Sequence, residues 1–188
     1  FWLKPFQPAF SWDFFLNMSD KENPNPTVFA VRHDTSQKRR MPVWMLAQVD
    51  NEMEQLDAEE VFEMVRSLKD PEHPELTLEQ LKVVNKEHVV VDSTNEQITV
   101  QFTPTIPTCS VATLIGLTLK AKLCRSMPRR FAVEVEVYPG KHEQEAAINK
   151  QLADKERVAA ALENPNLINN INANITGTDL LEDFLVVA

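Results

Sequence analysis

The chain has 188 residues, a hydrophobic fraction of 43% and a formal net charge of −9, and it holds two cysteines. The length suits one domain with tails, and the acidic excess excludes the broad phosphate-neutralising surface that a nucleic-acid binder needs. Two separated cysteines give no disulfide framework, which favours a reducing cytosolic or nuclear setting, and no apolar run approaches the roughly 18 residues of a membrane span.

The N-terminal part of the chain differs in composition from the rest. Residues 1–17 hold half of the chain's aromatic residues, interrupted by prolines and charges that exclude a signal peptide. We interpret them as an extension upstream of an ordinary start at Met18, with an aromatic arm that docks on a partner as the alternative. Residues 19–55 are polar and lack sustained periodicity, so residues 1–55 are predicted to be a flexible N-terminal extension.

The predicted domain begins near Leu56 with a helix. Asp57 is a suitable helix cap, and apolar residues recur behind it at helical spacing. The proline-bearing DPEHP segment at 70–74 ends this helix, and residues 77–81 are predicted to form one further helical turn. Two strands are predicted next, at Val83 to Val91 and at Gln97 to Thr103, with a turn at 92–95 between them.

Cys109 lies where a cysteine is well placed to react. Thr103-Pro104 and Ile106-Pro107 force extended backbone before it, and an apolar helical run starts at Val111. The cysteine is therefore predicted at a loop-to-helix junction, with Ser110 as the helix cap. Free N–H groups and the positive end of the helix dipole favour a thiolate there, which can ligate a metal or attack an electrophile. A small buried hydrophobe is the alternative interpretation of the same residue.

A helix, a strand and a second helix complete the predicted domain. Ser110 to Cys124 is rich in apolar residues and is predicted to be a largely buried helix. Phe131 to Tyr138 alternates apolar and acidic residues, as a half-buried strand does. Glu143 to Glu163 is predicted to be one helix, which Asn164-Pro165 ends.

The order of these elements predicts the fold class. Helices that alternate with single strands and a strand pair favour an α/β (α+β) domain, with a small mixed sheet of about three strands packed with helices. This domain is predicted to span residues 56–167. Residues 168–188 are predicted to be a flexible C-terminal tail.

Three side chains are candidate metal ligands. His73 and His142 lie beside proline-bearing turns, where either imidazole could be a second ligand next to Cys109, and a hydrogen-bonded loop histidine is the alternative for each. Cys124 is excluded as a partner of Cys109, because about four helical turns separate the two cysteines by roughly 20 Å. The candidate metal ligands are therefore Cys109, His73 and His142.

A dense run of charge lies in the last predicted helix. Pairing of charges on an exposed helix face explains such a run, and a surface that recognises another protein is the alternative. The sequence contains no phosphate-binding loop, nucleophile elbow or zinc-protease motif, so no catalytic residue is predicted. The candidate partner-binding residues are Asn149, Lys150, Asp154, Lys155 and Arg157.

Several segments together resemble one known family. They are DPEHP at 70–74, LTLEQLKVV at 76–84, FTPTIP at 102–107, CSVATLIGL at 109–117 and NKQLADKERVAAALEN at 149–164. On them the chain is similar to cytosolic iron–sulfur assembly component two, also called the MIP-eighteen family, from about Leu56 to Leu167 and more weakly at 23–29. The last of the segments favours the B-type paralogue over the A-type, and Thr108 stands where the family commonly has histidine.

The resemblance implies a role in protein maturation rather than a reaction. It implies a non-enzymatic adaptor subunit of the targeting complex that delivers iron–sulfur clusters to cytosolic and nuclear apoproteins, with a link to chromosome segregation through those clients. The implied partners are a WD-repeat propeller protein, a HEAT-repeat protein and the apoproteins, without nucleic acid or membrane, and a homodimer stays open. The implied compartments are the cytoplasm and the nucleus.

The family's reactive cysteine falls on Cys109, so the resemblance and the thiolate argument agree. The implied cofactor is at most a transient iron–sulfur cluster. One cysteine cannot hold a cluster alone, because such clusters take four protein ligands, and a site shared between subunits follows from that count. Two alternatives remain from other classes: a thiol-dependent redox or transfer enzyme that uses Cys109, and a zinc-binding scaffold that uses Cys109, His73 and His142.

Overall fold

A capping box begins the first helix, as the sequence predicts. In the computed structural model, which describes residues 21–31 and 56–176, helix α1 spans Ala58–Arg66. The Asp57 side chain accepts a hydrogen bond from the Glu60 N–H, and the Glu60 side chain accepts one from the Asp57 N–H. These bonds satisfy two N–H groups that a helix start otherwise leaves free. The apolar face of α1 is buried in the core.

A hairpin follows α1. Strand β1 (Val84–Asp92) pairs antiparallel with strand β2 (Gln97–Phe102), and its register is irregular between Val84 and Val89. Asp92 closes the hairpin, since its side chain accepts hydrogen bonds from the N–H groups of Thr94 and Asn95. The predicted strands and the predicted turn are confirmed. Residues 77–81 form a turn, with a hydrogen bond from Leu81 N to the carbonyl of Thr77.

The sheet is mixed and has three strands in the order β1-β2-β3. Strand β3 (Ala132–Val137) pairs parallel with β2, so the chain must cross over between them. Helix α2 (Ala112–Ser126) makes that crossover. On β2 alternate residues, Ile98, Val100 and Phe102, are fully buried, which places the core on one face of the sheet. The predicted α/β class with a small mixed sheet is confirmed.

Helix α2 lies at the centre of the core, and a glycine sets its distance from the next helix. Almost every residue of α2 from Ala112 to Leu123 is buried. A Cβ atom added at Gly116 would lie 2.5 Å from Leu152 Cδ1, well inside contact distance. The two helices can therefore pack this closely because position 116 carries no side chain.

The C-terminal third of the domain is three helices rather than the one predicted. Helix α3 (Glu145–Ala153) ends at Asp154, whose extended backbone (ψ 105°) also begins helix α4 (Lys155–Glu163). The Asp154 side chain accepts hydrogen bonds from the N–H groups of Glu156 and Arg157. The prediction of a continuous helix at 143–163 is wrong, because Asp154 acts as a cap rather than as a surface charge.

A further helix extends the packed structure beyond the predicted boundary at 167. Asn164 caps helix α5 (Pro165–Ile175) through the N–H groups of Asn166 and Leu167, and the proline occupies the first helical turn, where it is well tolerated. Ile171 and Ile175 are buried in the core. Residues 168–175 therefore belong to the folded domain.

The segment 21–31, which we call the N-terminal strap, lies against the domain, whereas the sequence predicted a flexible lead-in there. The backbone N–H of Phe29 donates to the carbonyl of Gln80 at 2.8 Å. The aromatic arm, the basic run at 38–40 and the end of the C-terminal tail lie outside the described residues. No helix within residues 21–31 and 56–176 is long and apolar enough to cross a membrane.

Candidate functional site

The loop that joins β2 to α2 carries Cys109. The backbone N–H of Cys109 donates to the carbonyl of Ile106 at 3.2 Å, which makes a tight turn that contains Pro107. The Cys109 side chain is buried, with 2% of its surface exposed. The cysteine is thus held inside the loop rather than presented on it.

The DPEHP loop packs beside the Cys109 loop and is organised by one carboxylate. Asp70 Oδ1 accepts hydrogen bonds from the N–H groups of Glu72 and His73, both at 2.9 Å. All three side chains are buried. Burial raises the pKa of the Asp70 carboxyl above its ordinary value, because a charged carboxylate is poorly solvated there. The two N–H groups partly oppose this rise.

A turn after β3 holds the Cys109 loop from another side. His142 Nε2 lies 3.0 Å from the carbonyl oxygen of Cys109, and the Gln144 N–H donates to His142 Nδ1 at 3.0 Å. Since Nδ1 accepts, Nε2 carries the proton and donates to Cys109. The Glu143 N–H also donates to the Pro107 carbonyl at 3.0 Å. His142 therefore positions the backbone of the loop in this arrangement.

The N-terminal strap completes the site. It crosses both loops with its first three residues and brings one basic and one acidic side chain to them. Its contacts are Glu22 Oε2 with Ser110 N (2.8 Å), Glu72 Oε1 with Asn23 N (2.8 Å), and Lys21 Nζ with both His73 Nδ1 and Glu75 Oε1 (3.2 Å each).

The expectation of a thiolate at Cys109 is wrong for this arrangement. Burial raises the pKa of the Cys109 thiol to about 12, and nearby carboxylates, foremost Glu72, add to the rise. The backbone N–H of Val111, the residue before α2, donates to the thiol sulfur and lowers its pKa, but burial has the larger effect. The prediction that Ser110 caps the helix is wrong as well. The thiol is therefore neutral at physiological pH.

The structure brings both candidate histidines to the site but does not group them with the cysteine as a metal-binding set. His142 is engaged at both ring nitrogens, and His73 Nδ1 contacts Lys21. Within the described residues, no group of three or more His, Cys, Asp or Glu side chains could hold a metal ion. A metal ion or cluster at Cys109 would need a rearranged loop or ligands from another molecule.

The candidate partner-binding residues divide into two groups. Asn149 and Asp154 have structural roles, since Asn149 Oδ1 accepts a hydrogen bond from the Val137 N–H at 2.8 Å and Asp154 caps α4. The exposed basic residues of the junction between α3 and α4 are Lys150, Lys155 and Arg157, and Arg157 Nε lies 3.3 Å from Asp154 Oδ2.

Sequence reasoning missed three acidic residues that surround the thiol. Asp70 and Glu72 belong to the DPEHP segment, where the sequence drew attention to histidine and proline. An Asp-Pro pair favours the start of a turn, in which the aspartate side chain accepts from N–H groups that follow it, and this signal could have identified Asp70. Glu22 gave no signal, because it lies 88 residues from its partner Ser110.

Comparison with known proteins shows which family the chain resembles. The model of a family described as iron-sulfur cluster assembly protein matches residues 58–137, which run from α1 to β3 and include Asp70 and Cys109. The protein named cytosolic iron-sulfur assembly component 2B of Mus musculus is 49% identical over 151 residues, covering 80% of this chain and 88% of that protein.

Two further relatives come from an insect and a plant. The MIP18 family protein galla-2 of Drosophila melanogaster is 48% identical over 151 residues, covering 80% of this chain and 92% of that protein. Protein AE7 of Arabidopsis thaliana is 53% identical over 119 residues, covering 63% of this chain and 75% of that protein. The chain belongs to the MIP-eighteen family of iron–sulfur cluster assembly proteins.

Proposed function

We propose that this protein is a non-enzymatic adaptor that helps to pass iron–sulfur clusters to apoproteins in the cytosol and nucleus. The observation that carries the proposal is the Cys109 loop itself, which lies in the segment shared with the family and is held by two separate parts of the chain, the turn after β3 and the N-terminal strap. Soft thiolate ligands suit iron–sulfur clusters, and Cys109 is the cysteine at the site. The cluster is cargo here.

The proposed role assigns separate tasks to two surfaces. Cys109 contacts the cluster or the cluster-bearing partner after its loop rearranges, and the partner supplies the remaining ligands. The exposed basic residues Lys150, Lys155 and Arg157 dock the adaptor on the other subunits. These partners are a WD-repeat propeller protein and a HEAT-repeat protein, and chromosome segregation depends on the protein through its clients.

The first experiment separates docking from transfer. Wild type, Cys109→Ala and Cys124→Ala are expressed in the native cell, captured by affinity, and scored for the two partner subunits and for iron incorporation into a client. Cys124 is the matched control, because it is an exposed cysteine on α2 outside the site. We expect all three forms to recover the partners and Cys109→Ala alone to lose client maturation.

Two results would contradict the proposal. Full client maturation with Cys109→Ala would remove the cysteine from the transfer step. Failure of the wild type to recover either partner would remove the protein from a targeting complex.

Charge reversal tests the docking surface separately. Lys150→Glu combined with Lys155→Glu should reduce partner recovery at least tenfold, whereas Arg129→Glu, an exposed basic residue between α2 and β3, should leave it unchanged. Equal recovery with the double variant and the control would place docking on another surface.

A further inference from the structure

The N-terminal strap is held against the Cys109 site by polar contacts, while its large apolar side chains remain at the surface. Val28 is 52% exposed and Phe29 is 36% exposed, so the strap gains little from apolar burial. The contact between Lys21 and Glu75 is an exposed ion pair, a kind that contributes little to stability. A segment held in this way opens far more easily than a core helix.

The two ends of the strap differ in what they contact. At the far end, Phe29 donates its N–H to the Gln80 carbonyl, and its ring lies under the Lys82 ammonium group, 3.9 Å from Nζ. At the near end, Glu22 and Asn23 contact the two loops of the site. The near end can therefore leave the site while the far end keeps the strap attached.

The near end of the strap binds the Cys109 loop and lies beside a buried histidine that has an unpartnered ring nitrogen. The Glu22 carboxylate accepts a hydrogen bond at 2.8 Å from the backbone N–H of Ser110, the residue next to Cys109. His73 is 1% exposed, and its Nε2 has no hydrogen-bond partner within residues 21–31 and 56–176. Because Lys21 donates to Nδ1, Nε2 carries the ring proton, and this buried N–H donor is left without a partner beside the strap.

We propose that the N-terminal strap is an autoinhibitory latch, whose near end covers Cys109 in the resting protein and must leave before the thiol can react or bind. The inference rests on the proposed function, since it describes how access to the transfer cysteine is controlled. Release of Lys21 to Asn23 withdraws the Glu22 charge from the thiol and frees the Ser110 N–H.

The test measures how fast Cys109 is alkylated in the purified full chain. Wild type, Lys21→Ala/Glu22→Ala, Glu22→Gln and Val28→Ala are treated with N-ethylmaleimide, and the modified peptides are quantified by mass spectrometry. Cys124 reports within each sample on the reagent and on the fold. Glu22→Gln removes the charge but keeps an oxygen that can accept from Ser110, and Val28→Ala changes an exposed part of the strap outside the latch contacts.

We expect the double variant to be alkylated at Cys109 about tenfold faster than wild type, with Cys124 unchanged, because both anchoring side chains and their three contacts are lost. Glu22→Gln and Val28→Ala should both stay within about twofold of wild type. An unchanged rate in the double variant would overturn the latch. An equal acceleration in Glu22→Gln would also overturn it, since the charge rather than the contact would then control the thiol.

The assay needs neither partners nor cluster, so it is independent of the proposed function. Faster alkylation in the double variant together with normal client maturation in Cys109→Ala would support the latch and reject the transfer role. An unchanged alkylation rate together with lost maturation in Cys109→Ala would reject the latch and support the transfer role.

Discussion

Asp70 offers the sharpest test of how the site is built, because two substitutions separate its oxygen from its charge. Its Oδ1 accepts hydrogen bonds from the N–H groups of Glu72 and His73, and its side chain is 2% exposed. Asp70→Ala leaves both donors without this acceptor. Asp70→Asn keeps an oxygen at the same place and removes the buried charge. We expect the first variant to unfold easily and the second to resemble wild type.

The magnitude follows from the two stranded donors. A buried N–H without a partner costs about 1–3 kcal/mol, so two donors cost about 2–6 kcal/mol. Removal of a poorly solvated carboxylate returns part of this free energy. Asp70→Ala should therefore lower the free energy of unfolding by about 2–4 kcal/mol, and Asp70→Asn should change it by less than about 1 kcal/mol.

The pH dependence of stability gives a second, independent sign. Burial raises the pKa of Asp70 above its ordinary value of 3.8, so the folded protein takes up this proton at a higher pH than the unfolded chain. This carboxyl therefore contributes stability below its unfolded pKa, and that contribution is lost as the pH rises through its folded pKa. Asn does not titrate. The stability of Asp70→Asn relative to wild type should consequently increase from acidic to neutral pH.

The assay is urea unfolding followed by circular dichroism, at several pH values between about 3.5 and 7. An unchanged slope against urea shows that the variants expose the same surface on unfolding, so the midpoints report stability. Equal losses with Ala and Asn would show that the charge rather than the oxygen holds the DPEHP loop. A loss under about 1 kcal/mol with Ala would refute the role of Asp70 altogether.

Three further predictions concern the thiol and the helices. The alkylation rate of Cys109 should show no inflection below about pH 10, since burial raises its pKa to about 12, and an inflection near 8.5 would contradict this. Gly116→Ala should lower the free energy of unfolding by about 1–2 kcal/mol in urea, because the added Cβ meets Leu152. Combination with Leu152→Val should recover part of this loss, and additive losses would refute the contact. Asp154→Ala should lower the free energy of unfolding by about 1 kcal/mol, and Asp154→Asn by less, as measured by thermal unfolding. Equal stability of Asp154→Ala and wild type would show that the Asp154 cap does not stabilise α4.

Local signals predicted most of the fold. Asp57 and the hairpin turn were predicted correctly because their effects are confined to three or four residues of chain. The sequence places Asp154 on an exposed charged helix face, since a capping aspartate and a surface aspartate look alike within a charged run. The helix after Pro165 was missed because the proline that ends one helix also begins the next.

The state of the site depended on contacts that sequence spacing does not reveal. The loop and the identity of its cysteine were predicted, but the protonation of Cys109 depends on burial by segments distant in the chain. Glu22 reaches Ser110 across 88 residues, and Asn23 reaches Glu72 across 49 residues. Pairings at such separations carry no periodicity that a sequence pattern can show.

The two edges of the sheet limit how this protein can meet other chains. At the β1 edge, the irregular register between Val84 and Val89 interrupts a regular ladder, and charged residues lie within that stretch. At the β3 edge, Asn149 takes the Val137 N–H that an added strand would use. Unprotected edges recruit foreign strands and promote aggregation. Partners should therefore bind through helices and loops rather than by strand addition, and the sheet offers no open edge along which copies of the chain could polymerise.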